Sequence, residues 1–145
     1  MLPIYFFAIV LSAISGLIFC ILDAKSASSK VHRVSDVNET LLPFLRQSNV
    51  LLVATIACVL VGLLKIFYPV KNADNVSVFL FGDSLSMLAL LVAACYYGIR
   101  FISLTDGDEK LPHFFAVVRP YEFYAGIFCL VAGVLHLLFA GALFL

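Results

Sequence analysis

Residues 2–22, LPIYFFAIVLSAISGLIFCIL, carry no charged side chain. As an α-helix they would reach about 30 Å, the thickness of a bilayer's hydrocarbon core. Three further stretches share this property. Residues 47–68 lie between Arg46 and Pro69 and are interrupted only by Lys65. Residues 84–104 hold Arg100 one turn from their end, and residues 121–145 carry Glu122 at their start and His136 inside. Lipid offers no partner to a backbone N–H or C=O, so each stretch has to satisfy its own backbone as a helix. The expected fold is all-α: a single transmembrane domain over residues 1–145, folded as an integral membrane four-helix bundle.

The composition of the whole chain agrees. Of 145 residues, 63% are hydrophobic and only 12% charged, against about 25% charged in a soluble domain. The mean hydropathy is +1.11. So little polar surface cannot coat a water-soluble globule, which sets aside soluble, disordered and disulfide-scaffold classes. The net charge is zero and no basic stripe is present, so no nucleic acid partner is expected. The first partner is the bilayer itself.

Helix punctuation falls between the stretches. Pro69 cannot continue a helix, and Asn72-Ala73-Asp74-Asn75 reads as a turn. Asp83 or Ser84 suits the N-cap of the third span, and Gly107 suits the left-handed residue that ends it. Pro120 fits the first position of the fourth, where a missing N–H costs nothing. Val31 to Gln47 and His113 to Val118 mix apolar and polar residues, which suits the headgroup zone. The N-terminus has no basic segment, and the first apolar run is about twice the length of a signal peptide's, so this span is read as retained.

Seven of the nine Lys and Arg side chains flank the first and third loops: Lys25, Lys30, Arg33, Arg46, Arg100, Lys110 and Arg119. Lys65 and Lys71 flank the second. By the positive-inside bias, loops one and three are cytoplasmic and both termini external, in a multi-pass protein of the cell membrane (the inner membrane in a bacterium).

Small residues recur three or four apart in every span. Ser12 and Gly16 stand with Ala8 and Cys20 in the first, and Ala54, Cys58 and Gly62 in the second. Ser86, Ala89 and Ala93 follow in the third, then Gly126, Cys129, Gly133 and Ala140 in the fourth. Lipid gives helices no hydrophobic reason to associate, so close backbone approach through such stripes supplies the packing. Either the stripes face one another within one bundle, or one of them meets another membrane subunit or a further copy of this chain. The four cysteines, Cys20, Cys58, Cys95 and Cys129, all lie within spans and form no Cys-x-x-Cys pair, so they read as small apolar filler.

His136 is the titratable group well inside a span, on the Gly126–Gly133–Ala140 stripe, and intramembrane polar groups are by default functional candidates. A neutral imidazole both donates and accepts, with Ser12, Ser15 or a tyrosine hydroxyl as candidate partners. Without a second intramembrane histidine, no haem is expected, and neither is any other cofactor or metal. Arg100 and Glu122 fall at one membrane face, Lys65 and Asp83 at the other, and each couple makes a candidate ion pair at helix ends. Otherwise Arg100 and Lys65 extend their charges to the headgroups. No Asp or Glu lies at depth, which disfavours a proton antiporter that depends on a buried carboxylate. No phosphate loop, nucleophile motif or metal-binding histidine pair is present, so no catalytic residue is assigned.

One segment points to an enzyme. Asp36-Val37-Asn38-Glu39-Thr40-Leu41-Leu42-Pro43-Phe44-Leu45 resembles the second-helix segment of the membrane-associated glutathione-handling (MAPEG) enzymes. That resemblance implies a glutathione-dependent, trimeric four-helix enzyme with external termini. The Arg and Asn with which that family holds glutathione would fall at Ser35 and Asp36, so this chain lacks both. The expected function is a non-enzymatic accessory or interaction subunit of a membrane complex. The alternatives are a transport or channel component using His136, and the glutathione-dependent enzyme.

Overall fold

A computed structural model describes residues 2–27, 43–44, 47–67, 84–107 and 113–138. Among these residues the structure is helical, with no strand. Helix α1 spans Leu2–Ala27, α2 Ser48–Phe67 and α3 Ser84–Asp106. The short α4, His113–Val118, leads through a 3-10 turn, Arg119–Tyr121, into α5, Glu122–Leu138. Four stretches are long and apolar enough to cross a membrane: Ile4–Ile21, Ser48–Phe67, Ser84–Asp106 and Arg119–Leu138.

Two boundaries differ from the sequence expectation. α1 runs past Leu22 to Ala27, because Asp23 and Lys25 end an apolar run without breaking a helix. Neither glycine nor proline intervenes there. Pro120 sits in the 3-10 turn, and the α-helix begins only at Glu122. The third helix stops where Gly107 takes φ +84°, a left-handed conformation that a Cβ would resist. Most of the 31–47 segment, the glutathione-enzyme resemblance except Pro43 and Phe44, Asp83 and Ala140 lie outside the described residues.

The helices pack as two antiparallel pairs, α1 with α5 and α2 with α3, and lighter contacts join the pairs. Glycine explains the closeness of the first pair. A Cβ on Gly16 would lie 2.6 Å from the Leu130 backbone nitrogen, and one on Gly126 would lie 3.0 Å from that of Cys20. Backbone therefore meets backbone, which multiplies weak dispersion contacts over a long interface. The core combines small residues, Ala8, Ala89, Ala93, Ala132, Cys58 and Cys129, with the larger Phe19, Leu51, Leu90, Tyr96, Tyr97 and Ile99. The bulky apolar side chains Phe6, Phe7, Val53, Leu60, Val131 and Leu137 point outward. Such a surface is the reverse of a soluble protein's arrangement.

Candidate functional site

α5 carries His136 in its last described turn, at the end of the bundle where α1 begins and α2 finishes. Three helices contribute side chains there. The Nζ of Lys65, on α2, lies 2.8 Å from His136 Nε2. Tyr5, on α1, lays its ring against the imidazole, with centroids 4.5 Å apart and planes tilted by 35°. Its hydroxyl donates to the His136 backbone carbonyl at 2.8 Å. The same ring lies 5.1 Å from the Lys65 ammonium nitrogen, within the range of cation–π attraction.

This geometry corrects the expected course of Lys65. The side chain does not extend to an outer headgroup: it is only 3% exposed and turns inward. Its four-carbon stem crosses from α2 towards α5, where the imidazole offers a hydrogen-bond partner inside the protein. Pairing with Asp83 lies outside the described residues. The partners expected for His136 also differ. Ser12 donates to the Cys129 carbonyl at 2.8 Å. Cys129 is seven residues from His136, about 10 Å down the helix. Ser15 is buried deeper, beside the Cys58 thiol and the Tyr97 hydroxyl and without a well-aligned hydrogen bond. Tyr5 does meet His136, but through its ring and the backbone carbonyl.

At the opposite end, Arg100 Nε donates to Glu122 Oε1 at 2.6 Å, joining α3 to α5. The two side chains are 31% and 12% exposed. Close by, the Tyr96 hydroxyl donates to the Val118 carbonyl at 3.0 Å and ties α3 to α4. Midway, the Cys129 thiol donates to the Ala89 carbonyl at 3.3 Å. The stripe residues Ser12, Gly16, Gly126, Cys129 and Gly133 are all buried between helices of this one chain. Cys95, by contrast, faces outward, while all four cysteines remain free thiols.

Sequence reasoning took Lys65 only as a helix-end cation, for Asp83 or a headgroup, and did not say which tyrosine would meet His136, although a signal for the inward course of Lys65 was present. Leu51, Cys58, Gly62 and Lys65 follow a helical stripe and are all buried. The rule that placed His136 inward places Lys65 inward too, but its closeness to the helix end suggested an anchor. Tyr5 stands seven residues before Ser12 on the corresponding stripe of α1.

Chemically the site is a pair of nitrogen bases in contact. A hydrogen bond needs one donor and one lone pair. Either the ammonium donates to Nε2 of an imidazole protonated at Nδ1, or Nε2–H donates to a neutral amine. In either arrangement the couple lacks at least one of the protons it can carry. Among the described residues, no three His, Cys, Asp or Glu side chains converge on a metal site. No curated protein and no solved structure matches the chain. Its residues 1–136 do match the model of a family without a characterised function, and the chain belongs to that family.

Proposed function

We propose that this chain is a four-span protein of the cell membrane and acts as a small transport component that handles protons at Lys65 and His136. Four apolar helices of spanning length and the outward-facing bulky side chains support the membrane placement. In that placement the cation-rich first and third loops are cytoplasmic and both termini external. A cysteine put at exposed Gln47 then resists an impermeant thiol reagent in intact cells and reacts after lysis. Ready labelling before lysis reverses the orientation.

The observation that carries the functional reading is the burial of Lys65 in contact with His136. A lysine in an apolar span costs up to about 3 kcal/mol on insertion scales, so such residues mark ion pathways and proton relays more often than filler. Two bases that lack at least one proton can accept and return one between them. That removes the objection that no Asp or Glu lies at depth.

The experiment is proton uptake into proteoliposomes loaded with a pH-sensitive dye, driven by a potassium diffusion potential. Wild-type protein should acidify the lumen faster than protein-free vesicles do, and Lys65→Met or His136→Leu should return the rate to background. Wild-type uptake at the protein-free rate would overturn the reading. The accessory subunit expected from the sequence drew on absent catalytic constellations and plentiful small-residue stripes, most of whose described members are buried inside the bundle. It returns if flux appears only after a co-purified membrane subunit is added back.

A further inference from the structure

Polar side chains recur inside the bundle from one end to the other. Ser12, Ser15, Lys65 and Ser86 are all 3% exposed or less. A hydroxyl in an apolar helix is commonly returned to its own backbone, as Thr55 does by donating to the Leu51 carbonyl at 2.8 Å. Ser86 does not follow this habit, and its Oγ has no hydrogen-bond partner among the described residues. Ser15 instead lies beside the Cys58 thiol and the Tyr97 hydroxyl, without a well-aligned bond to either. Three helices, α1, α2 and α3, thus bring a hydroxyl, a thiol and a phenol together in the core.

These groups fall at successive depths. Lys65 and His136 stand at one end. Ser86 lies within about a turn of that level, because Leu90, one turn further along α3, faces Gly62 on the antiparallel α2. Cys58 and Cys129 are each about 10 Å further in along their helices, where Ser12 donates to the Cys129 carbonyl. Ser15 follows one turn after Ser12. The Tyr97 hydroxyl beside it is within electrostatic reach of Arg100, one turn along α3. Arg100 in turn donates to Glu122 at the opposite end. From His136 to Glu122 the polar series covers about 21 Å of helix.

From this series we infer that Ser15 and Tyr97, with Cys58, are the mid-membrane relay of a proton route joining Lys65 and His136 to the Arg100–Glu122 end. The relay rests on the transport reading and gives it a course, but requires no particular resting protonation of Lys65 and His136. A hydroxyl or thiol carries a hydrogen and a lone pair at once. It therefore accepts a proton from one side, releases its own to the other, and is unchanged once the group has turned back. Water bridges the steps longer than one hydrogen bond. Each O–H or S–H bond that breaks is replaced by one that forms, and the proton leaves to water through the Glu122 carboxylate, so no oxidant or reductant enters. For packing alone, alanine and phenylalanine would fill the places of Ser15 and Tyr97 without taking two hydroxyls out of water.

The test uses the full chain in proteoliposomes loaded with a pH-sensitive dye, under a potassium diffusion potential. Tyr97→Phe and Ser15→Ala each delete one oxygen and keep the shape of the core. Each should bring proton uptake down to the protein-free rate. Ser15→Cys restores a group that both donates and accepts, so it should recover part of the uptake; no recovery would remove Ser15 from the relay. Tyr96→Phe is the control, because it deletes a hydroxyl committed to the Val118 carbonyl. It should keep the wild-type rate, even where it lowers the unfolding midpoint in mixed micelles. Midpoints measured for every variant separate loss of flux from loss of fold, and the two deletions sit on different helices, so either one decides if the other does not fold. Loss in Tyr97→Phe and Ser15→Ala with retention in Tyr96→Phe supports the relay. Wild-type uptake in both deletions, beside a loss in Lys65→Met, overturns the relay and leaves the transport reading standing. Equal loss in Tyr96→Phe overturns the relay as well. Wild-type protein at the protein-free rate overturns both.

Discussion

Replacing Gly16 by alanine adds one methyl group where α1 meets α5. The added carbon would lie 2.6 Å from the Leu130 nitrogen, 2.7 Å from the Gly126 carbonyl oxygen and 2.8 Å from Leu130 Cγ. The side-chain carbon can rotate away, but the other two atoms are α5 backbone. Ordinary contact begins near 3.4 Å, so α5 has to retreat by about 0.8 Å along the best-packed interface of the bundle. Overpacking of this kind costs about 1–3 kcal/mol, and alanine's helix preference offsets at most about 1 kcal/mol of it. Gly62 provides the control. A Cβ there meets Leu90 Cβ and Leu91 Cδ2 at 3.6 Å, ordinary contact that needs no movement. Gly62→Ala should therefore be neutral or stabilising by up to about 1 kcal/mol. Reversible unfolding in mixed micelles, driven by a denaturing detergent and followed by far-ultraviolet circular dichroism, compares the two. A Gly16→Ala protein as stable as Gly62→Ala would refute the backbone-to-backbone account of the α1–α5 contact.

Removing the charges of Arg100 and Glu122 singly and together, as Arg100→Gln and Glu122→Gln, should reveal a coupling of up to about 1 kcal/mol. The partly exposed guanidinium limits the gain. Strict additivity in the same unfolding assay would remove the pair as a stabilising contact. Ser12→Ala should cost about 1 kcal/mol by deleting the buried bond to the Cys129 carbonyl. Ser15→Ala should cost less, since that buried hydroxyl lies beside the Cys58 thiol and the Tyr97 hydroxyl without a well-aligned hydrogen bond. Equal losses from the two serines would contradict this assignment.

Much of the architecture is local and was therefore legible in the residues alone. Apolar run length decides whether a segment can span a hydrocarbon core, and the breaks at Pro69 and Thr105-Asp106-Gly107 separate one run from the next. Helical spacing also brought out the stripes of Ser12 with Gly16 and of Gly126 with Gly133, because side chains three and four apart share a face. The same spacing marked His136 as a polar group on an inward face.

Which stripe meets which helix was decided only by the tertiary structure. Every span offers small residues at similar spacing, so periodicity gives no reason for α1 to choose α5 over its chain neighbour α2. That choice depends on whether Gly16 fits against the backbone at Gly126 and Leu130, a matter of shape across two segments 110 residues apart. The fate of Lys65 is likewise non-local. From its own helix it is a cation near an end, equally suited to water or headgroups. It turns inward because packing brings an imidazole from α5 and an aromatic ring from α1 within reach of its flexible stem. Hydropathy is a property of one segment, whereas a hydrogen bond between two of them exists only once the bundle has assembled.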